Sequence, residues 1–463
     1  MATSEGDGGA SNELLRDVIG LRRQLSSSSP STPGATSSFA SSPLLSPSTR
    51  QQHADPPLIL DIGARGIRAG IAGSERPTCE IPIAPDRKGR IRSYELWDLD
   101  MRSTKIEDVH DTLQAILRDV YYKYLLLDGK SRKVVILENP MMSVQLKKLI
   151  AFVLFSYFQS ISVTFLLSPV CSMLAAGART ALVVDIAWHE TTVTPIYDYK
   201  PILSAVQSTT RAGKRLHDIV NETLKEFTTV SPSFDEVEQF IGRAMYCSSD
   251  DTTTSSSSQQ AFAVTLSGNT YYVPGSESRY SPLVQCFIRR AEDNTDDIDC
   301  FPIPDLIAYC LSRLGIDTRA GMLSRIVFVG GCSNIPGLKL RLLEEVRNCL
   351  VSGGSSDKSV ELQKNFRPWA ITHRSRIKAI TSLGAWSGAS LYISREREYL
   401  LSGGAAAAGS MAIRRVRAET ASGISHGTSS SFRILGEVER DKFLLDRVYA
   451  DNIFDWTVPA KYA

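Results

Sequence analysis

The chain has 463 residues, 43% of them hydrophobic and 22% charged, a composition that fits folded soluble units, about two to three by length. Its 52 basic and 50 acidic residues leave a formal charge of +2, so no global field argues for nucleic acid or an anionic membrane as partner. Eight cysteines are scattered, and none shows the Cys-x-x-Cys spacing of a zinc or redox site. With no secretory apolar run ahead of them, reduced thiols in a cytosolic chain are expected, with Cys300 and Cys310 read as small buried hydrophobes.

Residues 1–54 are dominated by Ser, Thr, Pro, Gly and Ala and are expected to form a disordered tail, because they bury too little apolar surface to offset ordering. Within it Leu14, Val18, Leu21 and Leu25 lie on one helical stripe over Asn12–Leu25, either a transient helix or one that docks on a partner. A first half is placed at 55–180. It opens with an apolar strand ending at Asp61, a glycine turn over Gly63–Gly66 and a second strand from Ile67, which together predict a hairpin. A helix is predicted over Ile106–Leu126 and a strand over Lys133–Leu137.

From Leu149 to Ala178 no residue is charged, a length that a membrane span would need. Gln159, Ser160, Ser162, Ser168 and Pro169 interrupt it, and Val163–Leu167 reads as a strand, so helix, buried strand and second helix is the preferred reading. A second half is placed at 181–400 and repeats the layout: strand Ala181–Ile186, turn Ala187–His189, strand Thr191–Tyr197, helix Leu216–Phe227. A third strand, Ile326–Val329, ends in Gly330-Gly331 and leads into helix Leu338–Leu350. Ser248–Gln260 reads as a surface loop and 401–432 as a low-complexity linker with Arg414, Arg415 and Arg417. The last part, 433–463, carries a helical stripe around Phe443–Tyr449 and a tail through Ile453–Trp456.

Two hairpins, each opened by a strand ending in Asp (Asp61, Asp185), followed by a Gly-Gly turn, predict facing halves around a cleft. In such clefts turn amides cradle phosphates, carboxylates hold a metal's water shell, and a double glycine admits a planar base. The pieces Leu60-Asp-Ile-Gly63, Ala69-Gly-Ile-Ala-Gly73, Val184-Asp185, Pro195-Ile-Tyr197, Ala212-Gly-Lys214 and Val329-Gly-Gly-Cys-Ser-Asn-Ile-Pro-Gly337 resemble the actin superfamily. The resemblance implies an α/β fold, actin-like, a duplicated ribonuclease H-like two-domain ATPase fold. It also implies nucleotide contacts from Asp61, Gly63, Arg68, Asp185, Gly213, Lys214, Gly330 and Gly331. Tyr122–Leu127, Arg132–Glu138, Leu167–Pro169 and Asn452–Trp456 look like the actin-related proteins at the pointed end of dynactin's short filament.

Departures from the superfamily pattern set the functional expectation. Ala64 and Arg65 stand where the first phosphate loop has Ser and Gly, with Arg68 in the lysine's place. The second loop reads Ile186-Ala-Trp-His189, without its glycines, so Trp188 and His189 are expected to be strained at any positive φ. Ser168 and Thr192 replace the Gln and His that position the attacking water, so hydrolysis is not expected and no catalytic residue is assigned. ATP or ADP with Mg2+ held unhydrolysed, and glycines that merely make tight turns, both remain open.

Ile81-Pro-Ile83 stands only about a dozen residues before Trp97-Asp98, too few for the small subdomain that the resemblance implies there. A subunit without it can end a head-to-tail stack but cannot continue it. The expectation is a non-catalytic structural subunit of dynactin, in the cytoplasm and cytoskeleton. It would contact the actin-like filament subunits and the other pointed-end subunits, with Tyr94, Trp97 or Trp188 as candidate anchors on the shortened side. A nuclear chromatin-remodelling subunit and a divergent ATPase are the alternatives.

Overall fold

The computed structural model describes residues 55–86, 88, 91–100, 102, 105–130, 132–227, 231–247, 261–273, 277–289, 298–352, 369, 372–401 and 437–445. The 1–54 tail with its candidate helix, the 248–260 loop, most of the 401–432 linker, and Tyr449 with Ile453–Trp456 lie outside the described residues.

The first sheet grows from a hairpin. β1 (Leu58–Ile62) and β2 (Gly66–Ile71) pair antiparallel with Asp61 opposite Arg68, and β3 (Cys79–Pro82) adds to the outer edge of β2. β1 also pairs in parallel with β4 (Lys133–Glu138), which pairs in parallel with β5 (Ser162–Leu167). Parallel strands need crossovers. These are α1 (Ile106–Asp119), continued by a π turn at Val120–Tyr124, and α2 (Val144–Ser156). α1 buries Val109, Leu113, Ile116 and Leu117 on one stripe, and its first turn carries Glu107 and Asp108, favourable at the positive end of the helix. α2 starts where the Ser143 hydroxyl accepts from the Leu146 amide at 3.3 Å.

The uncharged run thus folds as α2, β5 and α3 (Ser168–Ala175), with Pro169 in the first turn of α3 where its missing N–H is harmless. No helix among the described residues is long and apolar enough to cross a membrane.

The second sheet repeats the layout. β6 (Ala181–Ile186) and β7 (Thr191–Tyr197) form the hairpin, with Asp185 opposite Thr192. β8 (Lys200–Pro201) and β9 (Gln207–Thr209) extend β7. β12 (Ile326–Val329) lies parallel to β6, and β13 (Ala379–Ile380) parallel to β12. Between them run α4 (Gly213–Phe227), α5 (Phe234–Ala244), the hairpin β10 (Phe262–Leu266) and β11 (Asn269–Val273), α6 (Glu277–Phe287), α7 (Ile303–Ser312) and α8 (Ile316–Leu323). α9 (Leu338–Ser352) follows β12.

Strand alternation supplies both faces of each sheet. Leu58, Leu60 and Ile62 pack toward α1 and α2, whereas Ile59 packs with Val135, Leu137, Trp386 and Ala389 on the other side. Those last two residues belong to α10 (Ala385–Leu401), which sequence order placed in the second half. α10 packs instead on the first sheet against α3, and an added Cβ at Gly388 would stand 1.8 Å from the Cys171 carbonyl oxygen. The chain returns once more: β14 (Glu437–Glu439) adds antiparallel to β5, burying Val438 in the first core, and leads into the short helix α11 (Arg440–Leu445). Apolar area on the first sheet thus recruits elements that come late in the sequence, α10 and β14.

Between β3 and α1 the described residues form no helix or strand. The described residues of 83–105 lie against the chain's own turns: the Leu96 amide donates to the Ala64 carbonyl at 2.8 Å and the Ile83 amide to the Arg65 carbonyl at 2.9 Å.

Candidate functional site

A cleft of about 650 Å³ opens at the carboxyl ends of both sheets. Of the residues assigned from sequence, Asp61, Gly63, Arg68, Asp185, Gly213, Gly330 and Gly331 line it. Asp61 and Asp185 face it from equivalent registers, each near the end of a central strand. Gly330 sits at φ 88°, and a Cβ there would lie 2.3 Å from the Ile186 carbonyl oxygen, so only glycine fits. Gly331 is open, with nothing within 4 Å of an added Cβ.

The cations are already engaged. Arg68 pairs with Asp61 at 3.3 Å and Glu80 at 2.8 Å. Lys214, expected among the nucleotide contacts, does not line the cleft; its ammonium lies 3.2 Å from Glu95 and 3.6 Å from Asp98. The physical reason is the shortened stretch: its carboxylates come down beside the start of α4 and capture the nearest flexible cation. Arg65 points at neither carboxylate of the cleft floor. Its guanidinium donates to the carbonyl oxygens of Ile83, at 2.9 Å, and of Tyr94, and pairs with Glu238 at 3.4 Å. It also lies over the rings of Trp188, at 5.0 Å, and Phe234, at 4.7 Å.

The second turn departs from the strain expected of it. Ile186 to Glu190 hold no positive φ, so Trp188 and His189 sit in ordinary backbone conformations. The turn is closed by the Ala187 amide donating to Glu190 and by the Gly213 and Lys214 amides donating to Ala187 and Trp188. His189 donates through Nε2 to the Trp97 carbonyl oxygen at 2.8 Å. Ser168 lines the cleft, while Thr192 is fully buried beneath it.

One group escaped the sequence reading. Glu190 lines the same cleft as Asp61 and Asp185. Burial, then repulsion from Asp61, pushes the Asp185 carboxyl up to about 6 despite Arg68, and burial with Asp185 pushes Glu190 up to about 7. A glutamate beside a turn carries no motif, so only proximity reveals it. The base end of the cleft fits a nucleotide, through open Gly331 and tight Gly330. The phosphate end is crowded by carboxylates: Arg68 lines it but is paired with Asp61 and Glu80, Arg65 is paired with Glu238, and Lys214 stands outside the lining.

Glu95, Asp98 and His189 also place ligand atoms within 4.8 Å of one another. The Lys214 ammonium already serves that group as its cation; burial pushes the Asp98 carboxyl up, but the Leu99 amide, Lys214 and His189 together hold it below the usual carboxylate range. The candidate partner anchors have internal roles. Tyr94 stacks on Phe234 at 4.0 Å, Trp188 lies under Arg65, and Trp97 packs against the first core.

Two sheets of matching hairpin layout around a cleft, the second closing its β12 strand with a Gly-Gly turn, define a duplicated α/β fold of the actin kind. The chain belongs to the actin family, whose model matches residues 52–271 and 275–397. It is similar to Actin-related protein 2 of Acanthamoeba castellanii, 22% identical over 344 residues covering 66% of this chain and 85% of that protein. Actin-related protein 2 of Oryza sativa subsp. indica is 22% identical over 320 residues, covering 62% and 80%. The Saccharomyces cerevisiae protein of the same name is 21% identical over 324 residues, covering 63% and 81%.

Proposed function

We propose that this actin-family chain is a non-catalytic structural subunit that ends a head-to-tail actin-like filament, of the kind at the pointed end of dynactin. One observation carries the reading: Ile83–Lys105 holds no helix or strand among its described residues and lies against the chain's own turns. A protomer stacked head to tail needs a surface at each end. Where one end offers no projecting module, an open heterologous contact stops. The stretches around Tyr122–Leu127 and Arg132–Glu138 add the resemblance to dynactin's pointed-end type. Partners are then dynactin's filament subunits and its other pointed-end subunits, and the place is the cytoplasmic cytoskeleton.

The cleft supports the non-catalytic part. Ser168 is short and Thr192 is buried away from the cleft, so neither can orient an attacking water. Asp61, Gly63, Arg68, Asp185, Gly213, Gly330 and Gly331 would hold any ATP or ADP, and its Mg2+ would offset the carboxylates that otherwise oppose phosphate binding. The test is affinity purification of the tagged full chain. Recovery of dynactin filament and pointed-end subunits in stoichiometric amount supports the reading. Recovery of histones and remodelling helicases instead would replace it with the nuclear alternative.

A second reading has its own observation. The Glu190 carboxyl, pushed up to about 7 in the cleft, has the acidity a general base needs near neutral pH. A divergent ATPase built on it would release phosphate from pure protein and lose that release in Glu190→Gln. No release from the unaltered protein removes this reading.

A further inference from the structure

We propose that Tyr94–Asp98 and Arg65 form a built-in clasp that joins the two halves across the cleft mouth without any ligand. A two-walled cleft opens by hinge motion unless something touches both walls, and bound ligands commonly supply that bridge. Here side chains and amides of the chain itself supply it, at three successive points.

The first point is Arg65, in the β1–β2 turn of the first half. It reaches Glu238 and the Phe234 ring on α5 and the Trp188 ring in the β6–β7 turn, all in the second half. The same guanidinium donates to Ile83 and Tyr94, so it pins the shortened stretch in place. The second point is the stretch's own backbone. The Leu96 amide donates to the Ala64 carbonyl at 2.8 Å, while the next residue, Trp97, accepts from His189 at 2.8 Å. Adjacent residues therefore grip opposite walls. The third point is ionic: Glu95 and Asp98 hold Lys214 at the start of α4, and Glu95 lies 3.5 Å from His189 Nε2.

These points differ in weight. The Arg65 side chain is 21% exposed and the Lys214 side chain 40%, so solvent screens the ionic point more. Carbonyl acceptors and three ring faces hold Arg65, Tyr94 included at 5.7 Å. Trp188 contributes a ring face alone, since its buried Nε1 finds no hydrogen-bond partner among the described residues. A turn with Trp and His in place of small residues makes sense on this account: each offers the clasp a surface that glycine lacks.

Hydrogen exchange of the purified full chain, stripped of nucleotide and divalent metal, tests this. The Leu96 amide, and the Gly213 and Lys214 amides that donate to the second turn, should be protected, and added Mg-ATP should leave them unchanged. Lys214→Glu should speed exchange at 94–98 about two- to five-fold, the range of a partly exposed ion-pair network, and Glu95→Lys with Lys214→Glu should restore it. Arg65→Ala should release the stretch further, with the amides of 58–62 and 181–186 reporting an intact fold. If Arg65→Ala fails to fold, the charge swap still decides. A fast-exchanging Leu96 amide in the stripped protein overturns the clasp. So does protection that appears only with Mg-ATP, or that Lys214→Glu leaves untouched. None of these readouts depends on dynactin, so this inference and the partner proposal can fail separately.

Discussion

The Arg65 guanidinium lies 5.0 Å from the centre of the Trp188 ring, although the two residues sit in corresponding turns of opposite halves. The turns that face each other across the cleft therefore touch through a cation and a ring. Arg65→Ala removes this contact, two carbonyl hydrogen bonds and the Glu238 pair, and should lower unfolding free energy by about 1–3 kcal/mol in urea titration. Arg65→Lys should recover little of it, because a compact ammonium cannot reach two carbonyls while lying flat on a ring.

Asp185 and Glu190 set a pH signature. Both carboxyls are held above their ordinary range, to about 6 and about 7. Between about pH 4 and 7 the folded chain thus binds more protons than the unfolded one, and stability falls as pH rises through that window. Asp185→Asn removes the penalty. It should be more stable than the unaltered protein at pH 8, by on the order of 2–3 kcal/mol, with the gain vanishing near pH 4. Thermal melts across pH check this, and an Asp185→Asn chain less stable at pH 8 would refute it.

Glu138 and Lys147 form an ion pair at 2.6 Å with side chains 0% and 2% exposed. Lys147→Met removes the ammonium that neutralises this buried carboxylate and should cost about 3–5 kcal/mol. Replacing both, with Glu138→Leu added, should return most of that, because two apolar side chains carry no desolvation penalty. Comparing the single and double variants by denaturant unfolding gives the answer.

Gly388 lets α10 approach the backbone of α3 at Cys171. A methyl group there would stand 1.8 Å from a backbone oxygen that cannot rotate away. Gly388→Ala should therefore force the helices apart and cost about 3 kcal/mol or more. A melting temperature within a degree of the unaltered protein's would show that the helices move freely.

Much of the fold was legible because its signals are local. Asp61 and Asp185 each close an apolar strand before a turn, and Gly330-Gly331 closes a third, so both hairpins and the cleft could be placed from spacing. The π turn at Val120–Tyr124 was not legible, since a helical stripe looks alike in either winding. Nor were Glu190 as a cleft carboxylate and Lys214 as a partner of Glu95, which stands 119 residues away. Tyr94 and Trp188 stood as candidate partner anchors although such aromatics are more often core, and their use depends on which ring or cation lies opposite.

The sequence by itself determined the duplicated strand–turn–strand layout, the Gly-Gly turn after the third strand, and a stretch between β3 and α1 too short to pack as a domain of its own. Those follow from side-chain period, turn chemistry and segment length, which are properties of neighbouring residues. Only the tertiary structure decided where the shortened stretch goes, which cations stay with the cleft, and which helices return to the first sheet. Those outcomes depend on burial and charge pairing between groups far apart in sequence, as with Lys133 and Glu437, an ion pair 304 residues apart. Long-range partners are selected by packing, and no local pattern encodes that choice.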